Sequence, residues 1–179
     1  MNKSISVAFT GYRESKILRS KRSKSILSTL FGGGDRAILN QIADKIYNTI
    51  ESLYDQGFLH FYCGMSSGFD LMAAVAVLEL RNKYPDVKLI AVVPFKGQEE
   101  RYSDKDKQTY RNVMETADEV VTLAERHTDN AQYLRRNDYM LEQSSHLVCY
   151  YDGQRGGTMY TYNRAVKTKM SITNICKYR

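Results

Sequence analysis

The strongest constraint in this sequence is an alternation. Short runs rich in valine, isoleucine, phenylalanine and tyrosine recur between longer stretches whose apolar residues are spaced three and four apart. A short apolar run marks a strand, and a period near 3.6 marks a helix. Residues 5–10, 58–63, 87–93, 119–123, 146–151 and 171–175 read as six strands. After the first, Asp35 precedes a single apolar stripe of Ile38, Leu39, Ile42, Ile46, Ile50 and Leu53, and Gly57 stops that helix. Residues 69–81 are apolar on nearly every face, which predicts a helix buried between neighbours, and Pro85 breaks the chain after it. A polar helix over 104–117, another over 129–143 and a last one beginning near Thr158 complete the series. Strand–helix–strand units of this kind join by right-handed crossovers. The expected fold is therefore α/β: a mainly parallel sheet of about six strands, covered by helices on both sides.

A chain of 179 residues fits one domain, with 1–179 read as a single unit. One interruption stands out: a basic, serine-rich insertion at 14–34 that ends in Gly32-Gly33-Gly34 and reads as a mobile flap. Most of the net charge of +6 comes from here. Arg13, Lys16, Arg19, Lys21, Arg22 and Lys24 face Glu14 alone, and the rest of the chain is close to neutral. A local positive patch of this size suits an anionic small ligand better than a polymer. No apolar run is long enough to span a bilayer, so no membrane partner is expected. Cys63, Cys149 and Cys176 form no CxxC pair, and His60, His127 and His146 are scattered. The expectation is a reduced, cytoplasmic protein without a metal site.

In an open α/β sheet, ligands bind beyond the carboxyl ends of the strands. Four segments follow such ends here: Gly11-Tyr12-Arg13, the turn 64–70, the segment 94–99 and the loop 152–158. In the second, Gly64, Ser66, Ser67, Gly68 and Asp70 support two readings. One is an anion seat, in which glycines admit a ligand to the backbone and a helix N-terminus supplies N–H donors. The other is a plain strand-to-helix turn with a serine cap and an acidic first turn. Gly156-Gly157-Thr158, with Thr161 one turn on, supports the same pair. Gly64-x-Ser66-x-Gly68 also matches a serine-hydrolase elbow; no histidine follows Asp152, which leaves Asp118 with His127 or His146 as the formal partners in the order that fold requires, and His146 falls within a strand. There is neither a GxxxxGK phosphate loop nor a complete GxGxxG. On the helix over 129–143, one of Arg135 and Arg136 is expected to be solvated, and the other, with Asn137, to reach the crevice.

Taken in order, five motifs resemble the YpsA-like family of the SLOG superfamily, which includes the LOG and DprA (Smf) proteins. They are Gly11-Tyr12-Arg13, Gly64-Met65-x-x-Gly68-Phe69-Asp70 with Ala73-Ala74, Pro94-Phe95-x-x-Gln98-Glu99, Arg136-Asn137-x-x-Met140, and Tyr151-Asp152-Gly153 with Gly156-Gly157-Thr158-x-x-Thr161. The resemblance implies a Rossmann-like three-layer α/β/α sandwich and a site for a nucleotide-derived ligand at the strand ends. It brings Gly11, Tyr12, Asp70, Pro94, Phe95, Gly153 and Thr161 into the candidate site. The expected division of labour has Gly64, Ser66, Ser67 and Gly68 holding phosphate together with Gly156, Gly157 and Thr158. Arg13 and Arg136 would balance its charge, while Gln98, Asn137 and Asp152 would read sugar or base. Three positions depart from the family pattern: Tyr12 replaces histidine, Val75 a glutamate, and Tyr102 a tryptophan.

LOG enzymes hydrolyse the N-glycosidic bond of nucleoside monophosphates with a glutamate four residues after the last glycine of their turn. The matching position here is Thr161, which cannot act as a carboxylate does. The expectation is therefore a sensor or regulatory protein that binds a small nucleotide-like molecule. A LOG-like hydrolase is the alternative, and single-stranded nucleic-acid binding the second alternative. No other cofactor is expected, and LOG-like relatives suggest a homo-oligomer.

Overall fold

The computed structural model describes residues 2–22 and 34–176. Six strands, β1 (Ser6–Thr10), β2 (His60–Cys63), β3 (Lys88–Val93), β4 (Glu119–Thr122), β5 (His146–Cys149) and β6 (Ser171–Asn174), form one sheet in the order β4-β3-β2-β1-β5-β6. Every neighbouring pair is parallel; Val7, for example, stands beside Phe61 on one side and His146 on the other. The helices described are α1 (Glu14–Arg22), α2 (Gly34–Asp55), α3 (Phe69–Lys83), α4 (Asp104–Thr116), α5 (Ala131–Glu142) and α6 (Gly157–Lys167).

Alternate side chains of each strand go to opposite faces, and the two faces have separate cores. Val7, Phe9, Phe61, Leu89, Ala91, Val93 and Val148 pack under α1 to α4, and Ala8, Tyr62, Ile90, Val92, Leu147 and Cys149 under α5 and α6. Each fully buried Leu, Ile, Val or Phe contributes about 1.5–3 kcal/mol, so the doubly covered sheet is the principal stabilising unit. The stripe on α2 buries Ile42, Ile46, Ile50 and Leu53, and α3 lies between α2 and α4, as its all-round apolar character predicts. Edge strand β4 is largely exposed, and no described helix is long and apolar enough to cross a membrane.

The sequence pattern runs one or two residues past several strands. Tyr150 and Ile175 lie beyond β5 and β6 yet are buried in the core; apolar patterning reports burial rather than ladder pairing. The larger difference is at the expected insertion. Its first part is α1, whose Ile17 is wholly buried in the core beneath α2. A basic composition conceals a helix that buries an apolar residue in the core. The remainder of the expected flap, 23–33, lies outside the described residues.

Candidate functional site

Strands β1 to β4 step outward in one direction, and β5 then returns to the other side of β1. The chain reverses its winding between β1 and β5, so a crevice opens at the carboxyl ends of these strands. Three loops are tied together there. The Tyr12 carbonyl accepts the Phe69 N–H at 3.1 Å, joining the β1 loop to the start of α3. Gly68 permits this approach. It has φ +90°, and a Cβ would stand 2.5 Å from the Glu14 nitrogen and 2.7 Å from the Tyr12 oxygen. From the β5 side, the Thr158 hydroxyl donates to the Gly11 carbonyl at 3.0 Å, and the Tyr12 hydroxyl donates to Asp152 at 2.8 Å. Burial, together with Asp152, pushes the Tyr12 phenol well above its ordinary range, so it remains a donor. Lys16 on α1 closes the group, 4.0 Å from the centre of the Tyr12 ring and donating to the Arg155 carbonyl at 3.0 Å.

Behind the β2 loop lies a buried polar cluster centred on Arg136. Its side chain is 4% exposed, donates to the Gly64 carbonyl and to Ser66 Oγ (3.1 Å), and pairs with Asp70 at 3.8 Å. Gly64 leaves room for the guanidinium, which a Cβ would overlap while falling 2.9 Å from Asp70 Oδ2. Gln98 Nε2 donates to the Gly64 and Met65 carbonyls at 3.2 and 2.9 Å, and the Tyr102 hydroxyl donates to Met65 at 3.1 Å. Burial raises the Asp70 carboxyl to about 6, against the opposing pull of Arg136 and Ser66. The next residue on α5 reaches the other wall: Asn137 donates to Thr161 Oγ1 at 2.8 Å, and Thr161 donates to the Gly157 carbonyl at 3.0 Å. One helix thus connects the β2 loop with the start of α6.

Ser66 is committed inward: its Oγ accepts from Arg136, its N–H donates to Asp70 Oδ2 at 3.3 Å, and its hydroxyl also donates to the Asp70 carboxylate. The start of α3 is less open than its glycines suggest. The Phe69 N–H goes to Tyr12, and the Leu71 N–H goes to the Ser66 carbonyl at 3.2 Å. Arg13 and the loop 153–157 are exposed, Ser66 and Ser67 are half-buried, and a Cβ at Gly153 or Gly157 would meet nothing within 4 Å. Arg135 is exposed and paired with Asp129, so it is the solvated arginine of the two. Thr161 is wholly buried.

Pro94 and Phe95 stand apart from this crevice, between β3 and β4. Phe95 packs against His127 and Tyr133 there, and Gln98 is the link from that segment back to the β2 loop. His146 begins β5, at the opposite edge of the sheet, where it meets Thr173, and no histidine is among the hydrogen-bond partners of Ser66 in the described residues. Sequence reasoning missed Lys16 as a clasp on the glycine loop, because it is one of several bases in a charged run. It also missed Met65, whose φ of +60° turns two carbonyls toward Gln98 and Tyr102 without any residue-type signal.

A doubly wound parallel sheet with its loops gathered at the switch point defines the class, a Rossmann-like α/β protein. Within that class, the chain belongs to the YspA SLOG family, whose model, YpsA, matches residues 7–177. It is 31% identical over 140 residues to the uncharacterized SPbeta prophage-derived protein YoqJ of Bacillus subtilis (strain 168), covering 72% of this chain and 82% of that one. It is 28% identical over 144 residues to the UPF0398 protein YpsA of the same strain, covering 80% and 79%. Among solved structures it is similar to the DNA processing protein A (DprA) of Streptococcus pneumoniae, with a TM-score of 0.58 at 18% identity. That match covers 98% of this chain and 53% of DprA, so the chain spans about half the length of that protein.

Proposed function

We propose that this protein binds a small, phosphate-bearing, nucleotide-derived ligand in the crevice between β1 and β5, and that it serves as a sensor or regulatory protein. One observation carries the reading. Three strand-end loops are bound to one another through Gly11, Tyr12 and Phe69, and a buried guanidinium fixes the β2 loop beside them, with Ser66 and Ser67 half-buried at its turn. Exposed Arg13 and the start of α6 add positive potential on the two flanks. A glycine-rich turn backed by a fixed cation is suited to phosphate oxygens. The position matching the LOG glutamate is Thr161, a buried hydroxyl already engaged with Gly157, which favours binding over hydrolysis.

Gly157→Asp tests this reading. The new Cβ enters open space, and an acid in the first turn of a helix is favourable, so folding is preserved. A carboxylate about 5 Å from a phosphate costs about 3 kcal/mol per unit charge at an effective dielectric of 20, a weakening of about a hundredfold. Calorimetry with nucleoside monophosphates should show that loss for Gly157→Asp and little change for Gly157→Ala. Equal affinity in all three proteins overturns the site.

A further inference from the structure

The face of the protein covered by α2, α3 and α4 carries an open groove of about 610 Å³, apart from the strand-end loops. Leu39, Ala43 and Tyr47 of α2 form one wall at four-residue spacing, and Met72, Val75 and Ala76 of α3 form the floor. Val75 is 44% exposed there. The rim is acidic. Glu14, Asp44, Glu79 and Asp106 come from four different helices, against Lys105 alone. None of these carboxylates has an ion-pair partner among the described residues.

Neighbouring helices with small residues along their trough offer a seat to a further helix, whose ridge of side chains enters the groove between theirs. The excess of acid requires that helix to be positive, and it forbids two such grooves from facing each other across a two-fold axis. The chain itself carries a helix of this kind. α6 has Arg164 and Lys167 and no acidic residue over 157–167. Tyr160 and Arg164 turn toward Asp138 of α5. Met159, Asn163, Val166 and Lys167 share another face by helical spacing, and Val166 is 52% exposed. Met159, Asn163 and Lys167 repeat the four-residue spacing of Leu39, Ala43 and Tyr47, and each row is about 12 Å long at about 1.5 Å per residue. The other basic helix, α1, does not offer this combination, because its Ile17 is buried in the core of its own chain.

We infer that α6 of one copy of this chain seats in the acidic groove of a second copy, with Val166 against Val75 and Lys167 among the carboxylates. The groove and α6 lie on opposite faces of the sheet. The contact is therefore head-to-tail, and each assembly ends in a free groove and a free helix until it closes as a ring. The inference goes beyond the ligand reading and stands without it.

Sedimentation velocity tests it with two variants, each altering one exposed helical side chain so that folding is preserved. Val75→Arg fills the groove with a cation, and Val166→Glu sets an acid against the acidic rim. The unsubstituted chain should grow past the dimer as its concentration rises, and added salt should reverse that growth. Each variant alone should associate about tenfold more weakly or worse. An equimolar mixture of the two should form a dimer and nothing larger, because Val75→Arg keeps a sound α6 and Val166→Glu keeps a sound groove. The inference is overturned if the unsubstituted chain stays monomeric or stops at a dimer. It is overturned equally if either variant assembles as the unsubstituted chain does, or if the mixture gains nothing over its parts.

Discussion

Replacing Arg136 with methionine keeps most of the side-chain volume and removes the charge. The Asp70 carboxyl would then stand buried with no cation beside it. Even with Arg136 in place, burial raises this carboxyl from 3.8 to about 6, which corresponds to about 3 kcal/mol at 1.36 kcal/mol per pH unit. Breaking a buried pair by removing one partner costs about 3–5 kcal/mol, and the lost hydrogen bonds to Gly64 and Ser66 add about 1 kcal/mol. The sign of the pH dependence follows from the raised value. Below about pH 4 the carboxyl is protonated in folded and unfolded chains alike, and it contributes nothing. Between about 4 and 6 the unfolded chain releases the proton more readily, so the native protein loses stability, and above 6 the loss is complete. Without Arg136 the folded value climbs further, and the variant continues to lose stability past pH 6. Urea unfolding at pH 5 and pH 8 measures both proteins: the deficit of Arg136→Met should be small at pH 5 and several kcal/mol at pH 8. Adding Asp70→Asn should recover most of the pH 8 deficit, as expected for directly coupled residues. A deficit under about 1 kcal/mol at pH 8, or one independent of pH, would show that Asp70 and Arg136 do not depend on each other.

Two other contacts give separate expectations. Gly68→Ala forces a side chain at φ +90° against the Glu14 nitrogen, which should cost about 1–3 kcal/mol and lower the melting temperature by several degrees. An unchanged melting temperature would mean that the β1 loop moves aside freely. Tyr12→Phe removes the hydroxyl that holds Asp152; it should cost about 1 kcal/mol and speed amide hydrogen exchange over 153–156, and unaltered exchange would show that the clasp lies elsewhere.

Much of this molecule is legible along the chain. A parallel sheet buried on both faces must be built from nearly continuous apolar runs, and its crossover helices must carry an apolar stripe. Both signals are local, so six strands and the long helices α2 and α3 can be read from residue order. The loops that meet could also be named, because glycines and hydroxyls after strand ends are local features too: Gly11, Gly64–Gly68 and Gly156–Thr158 gather at the switch point.

What residue order could not supply is which partner each polar group takes. Arg135 and Arg136 are identical in type and adjacent, yet one is solvated beside Asp129 and the other buried against Asp70, because helix α5 presents them to different surroundings. Gln98 reaches back to carbonyls 33 and 34 residues earlier, and Tyr12 reaches Asp152 across 140. Among the described side chains of α1, Ile17 is the buried apolar one, in a run whose composition is mostly charged. Local spacing determines where apolar surface must be hidden. The partners of buried charges and amides depend on contacts between remote segments, and only the assembled sheet brings those segments together.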